Sequence, residues 1–299
     1  MDDPTRVSSG NTALASERAT RMRIAVLTSV AMIAFASNSM LCRLALAKTG
    51  IDPASFTLTR LASGAAVLAT VSVATGHADA RGGSWKAALA LFAYAAAFSF
   101  AYVSIPAGAG ALLLFGAVQA TMIIAGLLRG ERLRGLQWFG LAIALVGLAA
   151  LVAPGVSSPP PIGAGLMIAA GIAWGVYSLL GRCGLDPLAA TAGNFLRATP
   201  MALALVLPMI SGAQPLSGLI YAALSGALAS GVGYAIWYAA LPSLTAAQGA
   251  SVQLSVPVIT AIGGALFLGE PLTVRLMISS LVVLGGIAFV ILSRARQRS

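Results

Sequence analysis

The residues of this 299-residue chain that could handle a small molecule are rings, amides and guanidinium groups set inside long apolar runs. Tyr94, Phe98 and Tyr102 recur at every fourth position, so a helix puts the three rings on one stripe. Trp174 and Tyr177 are helical neighbours, and Tyr234, Trp237 and Tyr238 crowd a third run. Asn38, Gln119 and Gln253 supply amides, which can meet a carboxylate or an ammonium group but can equally tie helices together. The rings have the same two readings: they bound an apolar slot, or they fill helix contacts and interfacial belts. Arg60 and Arg197 need a counter-charge, carbonyls or water. Arg60 is close enough to its helix start to reach outward. Contact with backbone carbonyls is the first reading for both arginines, and a substrate carboxylate is the second. Pro200 and Pro257 interrupt apolar runs, where a lost hydrogen bond kinks a helix or lets it hinge.

Several chemistries have no residues to perform them. His77 is the single histidine, and Cys42 and Cys183 have no metal-ligand spacing. That leaves neither a nucleophile–base pair nor a metal or cofactor cluster, so no enzyme is expected. Asp52, Asp186, Glu131 and Glu270 all sit at the ends of apolar runs. With no carboxylate or imidazole in mid-run to carry protons, facilitated movement is expected rather than proton coupling.

The elements that must position these groups are set by composition. The chain is 59% hydrophobic and 9% charged, with a mean hydropathy of +0.92. A soluble domain carries about 25% charged residues. An ordinary cytosolic enzyme, a disordered chain and a nucleic-acid module are thereby excluded. Apolar windows punctuated by Gly, Pro and charge predict an all-α polytopic membrane protein with ten transmembrane helices. They run over 24–46, 54–75, 84–105, 107–129, 135–153, 162–181, 187–210, 216–240, 244–268 and 272–293. The first is too long for the apolar core of a leader peptide and is read as a span. Residues 1–23 form a tail, 154–161 a linker and 294–299 a basic C-terminus.

The net charge of +10 reports topology. Of 18 Lys and Arg, Lys48 and Arg275 fall in outer loops, and Arg43, Arg60 and Arg197 fall within spans. The rest gather on the side of both termini, which the positive-inside rule places in the cytoplasm.

A repeat emerges from the same charges. Leu127-Leu128-Arg129-Gly130-Glu131-Arg132-Leu133 returns as Leu266-Phe267-Leu268-Gly269-Glu270-Pro271-Leu272, and 107–153 lies over 246–292 without a gap. Asp52-Pro53 is echoed by Asp186-Pro187, Arg43 by Arg182 and Arg60 by Arg197. Five spans per copy (24–153 and 162–293) make the copies inverted in the membrane, the architecture of secondary transporters. The arginines after span four are accordingly missing after span nine. Glu131 and Glu270 are read as structural or gating positions, together with the two arginines and two prolines.

Leu268-Gly269-Glu270-Pro271-Leu272-Thr273, at the head of the last span, resembles the signature of the EamA-type transporters of the drug/metabolite transporter superfamily. The resemblance covers nearly all of the chain after residue 24. The first-half copy lacks the proline. The family implies two inverted five-helix repeats around a central cavity and alternating access. Length and the aromatic residues of spans three and six are similar to those of bacterial inner-membrane exporters of amino acids, aromatic ones included. The resemblance thus implies a monomeric carrier in the lipid bilayer of a bacterial plasma membrane, exporting small amphipathic metabolites. Trp174, Tyr94, Phe98, Tyr177, Asn38, Gln119, Tyr234, Trp237 and Gln253 are its candidate substrate contacts. A multidrug or nucleoside exporter of the same fold is the alternative, and a cavity for cationic drugs would want a fixed negative charge.

Overall fold

The computed structural model describes residues 4–76, 82–130, 135–181, 186–209, 212–244 and 246–295, with helices and short connections but no strand among them. Expectations placed on His77, Glu131, Arg182 and Cys183 lie outside the described residues. The helices are α1 (Pro4–Lys48), α2 (Pro53–Ala74), α3 (Trp85–Tyr102), α4 (Ala107–Leu128), α5 (Gly135–Val152), α6 (Pro161–Leu180) and α7 (Pro187–Val206). Next comes one long rod made of α8 (Leu216–Leu224), a π-helical stretch (Ser225–Val232), α9 (Gly233–Ala240) and a 3₁₀ turn. The chain closes with α10 (Ala246–Gln253), α11 (Ser255–Leu268) and α12 (Val274–Ala295). Nine helical segments among the described residues are long and apolar enough to cross a bilayer. Helix α7 is a full 20 residues but falls outside that set, because Asn194, Arg197 and Pro200 interrupt its apolar run.

The repeated dipeptides have local jobs. Asp52 caps α2 by accepting from the Ser55 N–H at 2.7 Å, and Asp186 caps α7 by accepting from Leu188 and Ala189 at 3.0 Å. The proline after each aspartate occupies the first helical turn, where its missing N–H costs nothing. At the other end, Gly130 and Gly269 take positive φ (+88° and +68°) and stop α4 and α11. Only glycine adopts that left-handed conformation without strain.

Packing pairs α2 with α7, α3 and α4 with α6, α5 with α12, and α1 with both α11 and the long rod. Exchanging the two halves maps this pattern onto itself. The buried interior is rich in alanine, while Leu128, Phe139, Leu266, Phe267 and Leu281 project outward. A belt of large exposed apolar side chains belongs against lipid.

Two spans depart from the uninterrupted helices expected over 216–240 and 244–268. The first widens into the π stretch, whose glycines let backbones meet: a Cβ on Gly226 would run into the Arg60 carbonyl and Ser63 Oγ. The second breaks at Leu254, because Pro257 has no N–H to offer the Gln253 carbonyl one turn earlier. Leu254 instead donates its N–H to the Ser251 carbonyl in a tighter turn. Helix α7, by contrast, runs unbroken through Pro200.

Candidate substrate site

A chain of rings crosses the interior from α3 to α9. Phe98 meets Tyr94 at 5.3 Å between centroids, Tyr94 meets Trp174 at 4.7 Å, and Trp174 stacks on Tyr234 at 5.6 Å. Tyr177 lies 5.2 Å from Trp174, and Tyr102 meets Phe98 edge-on at 4.7 Å. Trp237 touches the group through Phe35 of α1, which also faces Tyr234. Both halves of the chain supply rings. Tyr94, Phe98, Tyr177, Tyr234 and Trp237 are buried, and Trp174 is half-buried.

Polar groups enter this cluster at one place. Arg60 of α2 is 2% exposed, and its guanidinium carbon stands 5.1 Å from the Tyr94 centroid and 4.9 Å from that of Phe98. Its Nη2 donates to Tyr94 Oη at 3.0 Å, while Nε and Nη1 have no hydrogen-bond partner among the described residues. Asn38 of α1 donates to the same Tyr94 oxygen at 3.4 Å and accepts from Ser225 Oγ at 2.7 Å. Ser225 is the first residue of the π stretch, so an irregular turn and a polar pair coincide. Irregular turns of this kind recur at functional sites.

Arg197 is held differently. Its Nη1 donates to the carbonyls of Gly82 (2.7 Å) and Gly193 (2.9 Å), which binds α7 to the segment before α3. Nearer the start of α7, Thr191 hydrogen-bonds the hydroxyls of Tyr177 and Tyr238, at 3.4 and 2.9 Å. Asn194 donates to Tyr177 Oη and accepts from the Ser84 N–H.

Glu270 organises one end of the bundle. It accepts from Arg43 Nε at 2.9 Å and from the Ala107 N–H, at the head of α4, at 2.7 Å. Arg43 Nη1 also donates to the carbonyls of Tyr102 and Val103 at the end of α3. One carboxylate therefore fastens α1, α3, α4 and the turn before α12.

The remaining candidates lie elsewhere. Gln119 lines a small cavity between α4, α5 and α12 with Leu141, Leu148 and Ile287, away from the rings. Gln253 is half-buried at the break before Pro257, and Pro200 faces outward. Sequence reasoning missed Phe35, Ser225, Thr191 and Asn194. A signal existed for three of them: Phe35 is one turn from Asn38, and Thr191, Asn194 and Arg197 recur at every third position.

An all-helical membrane protein with a ring-lined interior built from two similar halves is a transporter scaffold. The profile of the EamA-like transporter family matches the chain twice, over residues 22–153 and 161–292. The chain belongs to that family and is a transporter rather than an enzyme. It is 59% identical over 275 residues to the uncharacterized protein PA1977 of Pseudomonas aeruginosa, covering 91% of this chain and 96% of that one. A protein of Streptantibioticus cattleyicolor named a "Probable terminal-alkyne amino-acid exporter" is 28% identical over 193 residues, covering 61% and 63%. A solved structure described only as "Crystal structure of protein" shares the fold, with a TM-score of 0.66 at 18% identity. The match covers 92% of this chain and 99% of that one.

Proposed function

We propose that this transporter exports small amphipathic metabolites, chiefly amino acids and aromatic ones among them, across a bacterial inner membrane. The observation that carries the reading is the ring cluster: Tyr94, Phe98, Trp174 and Tyr234 come from both halves, and Tyr94 joins them to the side chains of Arg60 and Asn38. A carrier that rocks two inverted five-helix halves about a central site would load and release there. Ten spans with both termini in the cytoplasm agree with the distribution of arginine, and α7, at 20 residues, is long enough to be the tenth. The S. cattleyicolor relative, whose name is "Probable terminal-alkyne amino-acid exporter", lends the substrate class support. Glu270 would serve as a latch at the outer end. Movement is downhill and the monomer suffices.

The test is a radiolabelled panel of amino acids and nucleosides in proteoliposomes, with and without ion gradients. Saturable counterflow of amino acids is expected; unsaturable flux would make the protein a channel, and uphill uptake driven by a pH gradient alone would overturn the facilitated mechanism. Trp174→Ala should raise KM for phenylalanine and tryptophan about 10-fold, the worth of one ring contact. Small substrates should change little. If export of bulky substrates is unaltered, Trp174 only packs.

A further inference from the structure

A buried cation with donors to spare identifies the part of the substrate that the site grips. Nε and Nη1 of Arg60 are shut away from water and meet no acceptor among the described residues. Burying a charge in this way is costly unless an anion completes it. The carboxylates whose placement is described are committed elsewhere. Asp52 and Asp186 cap α2 and α7, and Glu270 holds Arg43 and Ala107.

The faces of Tyr94 and Phe98 steady the guanidinium from its flat side, and Nη2 is fixed by Tyr94. Each edge of the guanidinium therefore keeps one unspent donor, Nε on the side edge and Nη1 on the end edge, and Nη2, which lies between them, has a second N–H to share with a carboxylate on either. Beyond Tyr94 the Trp174 and Tyr234 rings stack on each other at 23°, and with Tyr94 they form an aromatic surface against which a flat apolar group can pack. Gly226, pressed on the Arg60 backbone, keeps α2 close against the π stretch and so fixes the depth of the guanidinium.

We infer that Arg60 anchors a substrate carboxylate, with the side chain of the substrate packed against the aromatic cluster. The inference rests on the export reading and narrows it. The chemical class is a monocarboxylate bearing a planar or apolar group, and amines or nucleosides without a carboxylate are poor ligands. Replacing the carboxylate by a neutral amide leaves Nε and Nη1 facing a group that accepts through one oxygen and carries no charge.

The experiment uses the full chain in lipid nanodiscs and proteoliposomes. Binding is measured for phenylalanine, phenylalaninamide, 3-phenylpropionate and phenethylamine, and phenylalanine counterflow is measured in parallel. Wild type should favour phenylalanine over its amide, and 3-phenylpropionate over phenethylamine, by about 10- to 100-fold. Arg60→Gln should bring both ratios close to one by weakening the carboxylates alone. Arg60→Lys, which keeps the charge but not the fork, should retain only part of the preference. Absence of a carboxylate preference in wild type overturns the anchor, as does a preference that survives Arg60→Gln intact. If Arg60→Gln is not recovered folded, a ratio unchanged in Arg60→Lys overturns it. Robust counterflow without carboxylate preference sinks the anchor and spares the export reading. Arg60-dependent binding of 3-phenylpropionate without phenylalanine transport does the reverse.

Discussion

Arg43 and Arg60 sit on the first two helices, both largely withdrawn from water, and their surroundings are opposites. Arg43 meets a carboxylate and two backbone carbonyls, so its charge is balanced and its Nε and Nη1 are spent inside the protein. Arg60 meets a hydroxyl and two ring faces, none of which carries a full negative charge. The first arrangement is a tie between helix ends. The second leaves capacity unused in the middle of the molecule, where unused capacity is expensive. A chain that satisfies one arginine so fully and leaves another incomplete separates holding from binding.

The largest effect should come from breaking the satisfied site. Glu270→Ala strands the Arg43 guanidinium and uncaps α4, and it should cost about 3 kcal/mol of stability, read as a lower melting temperature in detergent. A variant that melts with wild type would remove the tie and with it the contrast. Arg60→Met should behave in the opposite sense. Exchanging an incompletely paired buried charge for a packed apolar chain is neutral or stabilising, so its stability should stay within about 1 kcal/mol of wild type or rise. Counterflow of carboxylate substrates should nonetheless collapse. If Arg60→Met melts as early as Glu270→Ala, both arginines are structural. The smallest effect belongs to Gln119→Leu, which should change stability by no more than about 0.5 kcal/mol and leave transport untouched. A loss of counterflow there would shift the site toward the cavity between α4, α5 and α12.

Much of the frame was legible because it rests on local chemistry. Apolar runs mark helices, Asp-Pro marks their starts, and Gly-Glu marks where α11 ends and a carboxylate turns back. The ring stripe on α3 was legible as well, since a helix has a fixed period. Tertiary choices were not. Nothing in the run around Arg60 says whether a long side chain reaches out to the interface or folds under Phe98; that depends on how near the π stretch comes to α2. Gln119 reads like Asn38 in sequence, a lone amide in an apolar helix, yet the two face different neighbours. The π stretch was hidden because Ser-Gly-Ala-Leu-Ala-Ser-Gly-Val has the composition of any close-packed membrane helix. Two pairings that matter, Glu270 with Arg43 and Ser225 with Asn38, join residues far apart in the chain.

The widened turns between Ser225 and Val232 also act as a phase adjuster. A regular helix gives all its residues one angular register, with about 100° between successive side chains. Each π turn takes in one residue more and so rotates everything downstream relative to everything upstream. Before the stretch, Gly218 is fitted against Thr49 and Ile51 at the mouth of the bundle. After it, Tyr234 and Trp237 are aimed at Trp174 and Phe35. One rod thereby serves two clients whose directions need not match, and a single-residue insertion or deletion there would re-aim the rings without moving the mouth.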